Sequence, residues 1–186
     1  DELTSASAAH RERALTMFKR LSPSHIPAAS RATVIALGER AVLVDVRTAP
    51  ERSVSTLPGA VSVADFERAR GPEAAAQAGK VVVPYCTIGF RSGQYAQALR
   101  SRFGETLDVR NGEGAVLWSL DGGELVNPSD GALTSRLHTF GQTWAITRDD
   151  VSAVVFGGGG LTGLLWMGVE RLERAFARSP CADCFG

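Results

Sequence analysis

The sequence predicts an α/β domain: a central, mainly parallel sheet of five strands, covered on both faces by helices. Three observations predict it. Residues 41–46 and 81–86 form two apolar runs of strand length, the pattern of strands buried on both faces. Between and after them lie stretches of helical periodicity, so strands and helices alternate along the chain. The second run ends on Cys86 and a helical pattern resumes at Ser92, which puts a thiol at the carboxyl end of a strand. Right-handed crossovers should connect the strands.

Composition narrows the function classes. The chain has 186 residues, enough for one domain with a real core plus extensions. Lys+Arg and Asp+Glu both number 20, so bulk charge points to no nucleic-acid partner. Three cysteines make no even disulfide framework, which suits an intracellular reducing compartment. An organelle fits too, if a targeting segment has been removed.

The elements follow in order. Ala14, Phe18 and Leu21 recur at helical spacing, so residues 1–24 read as a helical arm that packs or docks. The stretch 22–27, rich in Ser and Pro, breaks it, and Ile26 marks a short first strand. Residues 28–38 read as a helix stopped by Gly38. The run 41–46 is a strand; Asp45 and Arg47 at its end read as a structural ion pair that supports the cysteine loop. Residues 50–58 read as a loop, 61–63 as a strand, and 64–79 as solvent-facing helical turns. In the helix 92–103, Tyr95, Ala96, Leu99 and Phe103 share a face. A fifth strand is expected over 106–110, and a short helix over 115–120 with Trp118 as a core anchor. Residues 122–141 read as loop, and His138 within them as a packed or surface residue rather than a catalytic base.

The loop after residues 81–86 carries the chemistry. Cys86, Thr87, Ile88, Gly89, Phe90 and Arg91 lead into Ser92 at the helix start. Free N–H groups and the helix dipole there favour an anion and should ease ionisation of the thiol. Gly89 gives the backbone the freedom for a tight curl. Arg91 has two roles open to it: bracing against a carboxylate, or contacting an anionic donor.

This loop resembles the C-x-x-G-x-R active-site loop of rhodanese-type sulfurtransferases. Leu43-Val44-Asp45-Val46-Arg47 with Glu51, then Leu57-Pro58-Gly59-Ala60-Val61, then Asn111-Gly112-Glu113-Gly114 with Trp118 resemble the other segments of that family, in the same order. Leu57 stands where a histidine-isoleucine pair is more usual. The resemblance covers about 26–126 and implies a rhodanese-like domain, here bounded at 25–146. It implies that Cys86 is catalytic and carries sulfane sulfur as a persulfide, by ping-pong covalent catalysis. Thr87, Ile88 and Phe90 would line the mouth, and being uncharged they imply no strong selection for a highly charged donor. The family's phosphatase-like relatives have a loop one residue longer; Cys86 to Arg91 spans six, which favours sulfur over phosphorus. No cofactor is implied. The implied partners are a small sulfur donor such as thiosulfate and a thiol or cyanide-like acceptor. By analogy with rhodanese-like proteins that have a longer C-terminal edge, a strand containing His138 would lie against the domain.

Residues 147–186 form a C-terminal extension. No charge occurs over 151–169, a borderline length for a membrane span. Gly157–Gly160 interrupt it, while Gly159 and Gly163 make a G-x-x-x-G pair. Two readings stand: a membrane-embedded helix, or an amphipathic docking helix starting at Leu161. Either gives residues 151–176 a membrane or protein-complex partner. Cys181 and Cys184 form a terminal C-x-x-C, the chain's one weak candidate for a metal, with no second pair to complete it. The alternative to a sulfurtransferase is therefore a binding or structural module, an accessory subunit of a membrane complex anchored through this extension.

Overall fold

The computed structural model describes residues 5–141 and 144–156. In chain order the described strands are β1 (Ala28–Ala29), β2 (Ala41–Asp45), β3 (Val61–Ser62), β4 (Val81–Tyr85), β5 (Asp108–Val109), β6 (Asn111–Gly112), β7 (Arg136–His138) and β8 (Ser152–Val154). The helices are α1 (Ser5–Leu21), α2 (Arg31–Leu37), α3 (Ala49–Val54), α4 (Val63–Arg68), α5 (Gly71–Gln77), α6 (Phe90–Phe103) and α7 (Ala115–Leu120).

The centre is a parallel four-stranded sheet in the order β3-β2-β4-β5. β2 and β4 pair along their whole length, from Ala41 opposite Val81 to Asp45 opposite Tyr85. Their ends are therefore level, and Arg47 and Cys86 emerge at the same edge. The strand expected over 106–110 is β5, whereas the short first strand expected near Ile26 is β1, which stands in a separate pair with β6. The chain changes partner at Arg110: its N–H still donates to Val82 on β4, whereas the N–H of Asn111 donates to Pro27 beside β1. Five chain segments line up, but one continuous five-stranded ladder does not form.

Residues alternate between faces along β4, as the pleat requires. Val82 packs with Val44, Phe66 of α4, Ala75 of α5, and Tyr95, Ala96 and Leu99 of α6. Val81 and Val83 face the other way, toward α2. Tyr85 on that second face joins Ala14 and Phe18 of α1, Leu117 and Leu120 of α7, and Leu137 of β7. Each fully buried aliphatic side chain here is worth about 1.5–3 kcal/mol. Helix α1 thus contributes to the core of the domain.

Strand β1 takes up the start of the expected helix 28–38, and two further stretches differ from the sequence-based expectation. Part of the expected loop 50–58 is helix α3. Thr48 and Glu51 form a capping box, and Pro50 sits in the first turn, where its missing N–H costs nothing. Part of the stretch 122–141, read as loop from its residues, is β7, the strand containing His138 that the family analogy suggested; it pairs in parallel with β8, Leu137 opposite Ala153. Among the described residues no helix is long and apolar enough to cross a membrane. The segment 157–186, with the proposed docking stripe, Cys181 and Cys184, lies outside the described residues.

Candidate active site

The loop begins where β4 ends. Cys86 is buried, with 2% of its surface exposed. Helix α6 starts at Phe90, two residues before the expected Ser92, because Gly89 takes the left-handed conformation at the cap, φ 91°. That brings the first turn of α6 against the sulfur. The Gly89 N–H donates to Cys86 Sγ at 3.2 Å, and the Ser92 hydroxyl lies 3.6 Å from it. A side chain at Gly89 would also run into the ring of Phe18, so α1 packs directly against the loop.

The back of the loop is held by α7. The N–H groups of Ala115 and Val116 donate to the carbonyls of Cys86 and Thr87 at 2.8 and 3.2 Å. Gly114 makes this approach possible: a Cβ there would lie 2.6 Å from the Thr87 carbonyl oxygen. Asn111 donates to the Gly89 carbonyl at 2.9 Å and to the Ser22 hydroxyl at 2.8 Å, tying β6 and the end of α1 to the loop.

Arg91 is braced rather than free. Its two terminal nitrogens donate to the Glu51 oxygens at 2.8 and 2.7 Å, a bidentate pair with both groups buried. One face of the guanidinium lies under the Phe140 ring, 4.6 Å from its centroid. Glu51 is placed by the capping box, with the Thr48 N–H donating to Oε2 at 2.8 Å. His138 reaches the same carboxylate from β7; its Nδ1 lies 3.3 Å from Oε1 without hydrogen-bond alignment. Burial alone would raise the Glu51 carboxyl. The Arg91 fork, His138 and Thr48 outweigh burial and hold it far below the ordinary carboxylate range.

The thiol responds to this arrangement. Burial pushes Cys86 up, but the Arg91 charge, the Ser92 N–H and hydroxyl, and the Ile88 N–H pull it down. The net direction is below the ordinary thiol value, so the thiolate forms more readily than on a free cysteine.

The Asp45–Arg47 pair lies deeper, with both side chains wholly buried. Arg47 Nη2 donates to Asp45 at 2.6 Å and to the Ser55 carbonyl at 2.7 Å. The Tyr85 hydroxyl donates to Asp45 at 2.7 Å, and Thr56 lies 3.2 Å from the same oxygen. The pair fixes the strand ends beneath the loop.

A family model for the rhodanese-like domain matches residues 23–123. The chain belongs to the rhodanese-like domain family. No curated protein matches the sequence. Among solved structures it is similar to a thiosulfate sulfurtransferase from Pseudomonas aeruginosa, at 22% identity and a TM-score of 0.44, over 72% of this chain and 25% of that one. The chain thus spans a quarter of that protein's length. It is also similar to a protein of unknown function from Rhodopseudomonas palustris, at 24% identity and TM-score 0.43, over 66% of this chain and 96% of that one. A Bacillus halodurans protein matches at 22% identity and TM-score 0.39, over 61% and 83%.

Within this rhodanese-like frame the sequence-predicted residues fall as follows. Cys86, Gly89, Arg91 and Ser92 converge around the sulfur. Thr87 is buried at the back of the loop, and Ile88 packs into the apolar cluster with Phe18 and Ala115. Phe90 is half-buried at the start of α6. Trp118 is half-buried, its Nε1 donating to the Glu124 carbonyl at 2.9 Å. Sequence reasoning gave Glu51 no partner and set His138 aside. Glu51 had a readable signal, the Thr48-x-x-Glu51 capping pattern. His138 had none, since its neighbour Glu51 lies far away in the chain. Among the described residues no cluster of three His, Cys, Asp or Glu could hold a metal.

Proposed function

We propose that the protein is a sulfurtransferase that carries sulfane sulfur on Cys86. The observation that carries this reading is the setting of the sulfur: an ionisable thiol inside a six-residue loop, facing the Gly89 N–H and Ser92 hydroxyl, with Arg91 holding positive charge nearby. The same groups would stabilise the negative charge of a persulfide.

The cycle has two displacements. The Cys86 thiolate attacks the outer sulfur of a donor such as thiosulfate. A Cys–S–S⁻ bond forms, the donor's S–S bond breaks, and sulfite leaves with the electron pair. An acceptor nucleophile then attacks the outer sulfur. With cyanide, thiocyanate forms and the Cys86 thiolate is regenerated. Both steps are redox-balanced and need no cofactor.

Thiocyanate formation from thiosulfate and cyanide tests the reading. The full chain should turn over and the Cys86→Ser variant should not. Equal rates in the two proteins would exclude Cys86 as the carrier.

The burial of Cys86 favours a second reading, a binding or structural module whose loop is little used. In that case residues 151–176 would carry the function by docking a membrane or a partner subunit. Removal of residues 157–186 would then abolish partner capture, whereas an enzyme should keep its thiocyanate formation.

A further inference from the structure

The structure places a buried polar ring against the loop machinery from beyond the matched region 23–123, and the cycle above does not use it. It is His138. Its ring is 3% exposed, lies edge-on to Phe140 at 5.5 Å and tilts over Phe156 at 4.3 Å. Those two rings fix the imidazole plane. They hold Nδ1 within 3.3 Å of Glu51 Oε1, off hydrogen-bond alignment, and it has no hydrogen-bond partner among the described residues. Glu51 in turn spends both oxygens on Arg91, and Arg91 is the largest favourable charge acting on Cys86. Two contacts, His138 to Glu51 and Glu51 to Arg91, lead to a guanidinium at the start of α6 whose charge acts on the Cys86 sulfur.

We propose that His138 is a positioning residue for Cys86, acting through Glu51 and Arg91. The physical argument is one of charge sharing. A carboxylate that faces only Arg91 cancels most of the guanidinium charge. An imidazole nitrogen 3.3 Å from the same carboxylate takes up part of its field and leaves more of the Arg91 field for the sulfur. The fork geometry is also stiffer with a third group on Oε1. The charged groups around His138 are Glu51 from α3, in direct contact, and behind it Arg91 from α6, with Arg47 acting on both of these; β8 carries none, and Arg136 on β7 itself is exposed. Strand β7 thus delivers to the loop machinery a residue that acts on Arg91 through Glu51. The inference rests on Cys86 being the working group, but its test does not require sulfur transfer.

The test is the pH dependence of Cys86 alkylation by iodoacetamide on the full chain. The plateau rate reports access to the sulfur, and the midpoint reports its ionisation. The two effects of opening the mouth and changing the field therefore separate. His138→Phe keeps the ring packing and removes the nitrogens. Its midpoint should rise by about half a pH unit, about three-fold less thiolate at a fixed pH below it. His138→Asn restores an N–H directed at Glu51 and should bring the midpoint back toward the parent value. An unchanged midpoint in folded His138→Phe would overturn the proposal.

A second measurement covers a variant that does not fold. Linkage is reciprocal, so the His138 ring should sense Cys86 in the parent protein. Its NMR signals should show a step at the Cys86 midpoint that is absent in Cys86→Ser. No step in the parent chain would equally overturn the proposal. Failure of thiocyanate formation with these shifts intact would reject the sulfurtransferase reading and leave the positioning role standing.

Discussion

Two buried arginine–carboxylate pairs lie side by side beneath the loop, and they do different work. Asp45–Arg47 is local, two residues apart at the end of β2, and wholly buried. Its carboxylate is saturated by Arg47, the Tyr85 hydroxyl and Thr56. Glu51–Arg91 spans 40 residues and joins α3 to the first turn of α6. The charge of its arginine acts on the thiol, and its carboxylate lies beside His138. The pairing chemistry is the same in both. What differs is what the remaining atoms see: a closed shell of strand ends in one case, a reactive sulfur in the other. A buried ion pair is thus a brace or a tuning device according to its third neighbour.

The sharpest way to break this comparison is to remove each arginine. Arg91→Ala and Arg47→Ala both strand a buried carboxylate, and each should lose about 3–5 kcal/mol in urea unfolding. Only Arg91→Ala should raise the pH midpoint of Cys86 alkylation. If Arg47→Ala raised it as much, the division between brace and tuner would fail.

A smaller effect concerns acid. The Glu51 carboxyl is held below its unfolded value, so the unfolded chain binds its proton more readily. The stability it contributes is fully present above the ordinary carboxylate range and is lost as the pH falls through its depressed native value. Glu51→Gln should therefore lower neutral-pH stability by about 1–3 kcal/mol and flatten the acid limb of the stability curve. An acid limb as steep as the parent's would assign that slope to other carboxylates.

The smallest effect belongs to Ser92. Its hydroxyl lies 3.6 Å from the sulfur, a long contact. Ser92→Ala should lift the alkylation midpoint slightly and change stability by about 1 kcal/mol or less. A rise larger than that of Arg91→Ala would make the hydroxyl, not the guanidinium, the main support of the thiolate.

How far the sequence revealed this site depends on the range of each interaction. The runs of β2 and β4 are legible because both faces of those strands are covered, so the apolar pattern is continuous. The stripe Tyr95, Ala96 and Leu99 is legible because α6 lays one face on the sheet. The loop from Cys86 to Arg91 is legible because its chemistry is contiguous. Helix α3 is harder to read, since a short helix with Pro50, Arg52 and Ser53 has a weak periodic signal. Strand β7 is harder still: it is three residues long, and its partner β8 lies further on, behind a polar turn. With β7 expected only by analogy to the family, the meeting of His138 and Phe140 with Glu51 and Arg91 has no trace in local pattern.

The most direct measurement is peptide mass spectrometry of the full chain after thiosulfate, and again after cyanide, with Cys86→Ser alongside. The account predicts one added sulfur atom on the Cys86 peptide, removed by cyanide and absent in the variant. A Cys86 that alkylates readily yet gains no sulfur from thiosulfate or from a low-molecular-weight persulfide would contradict it.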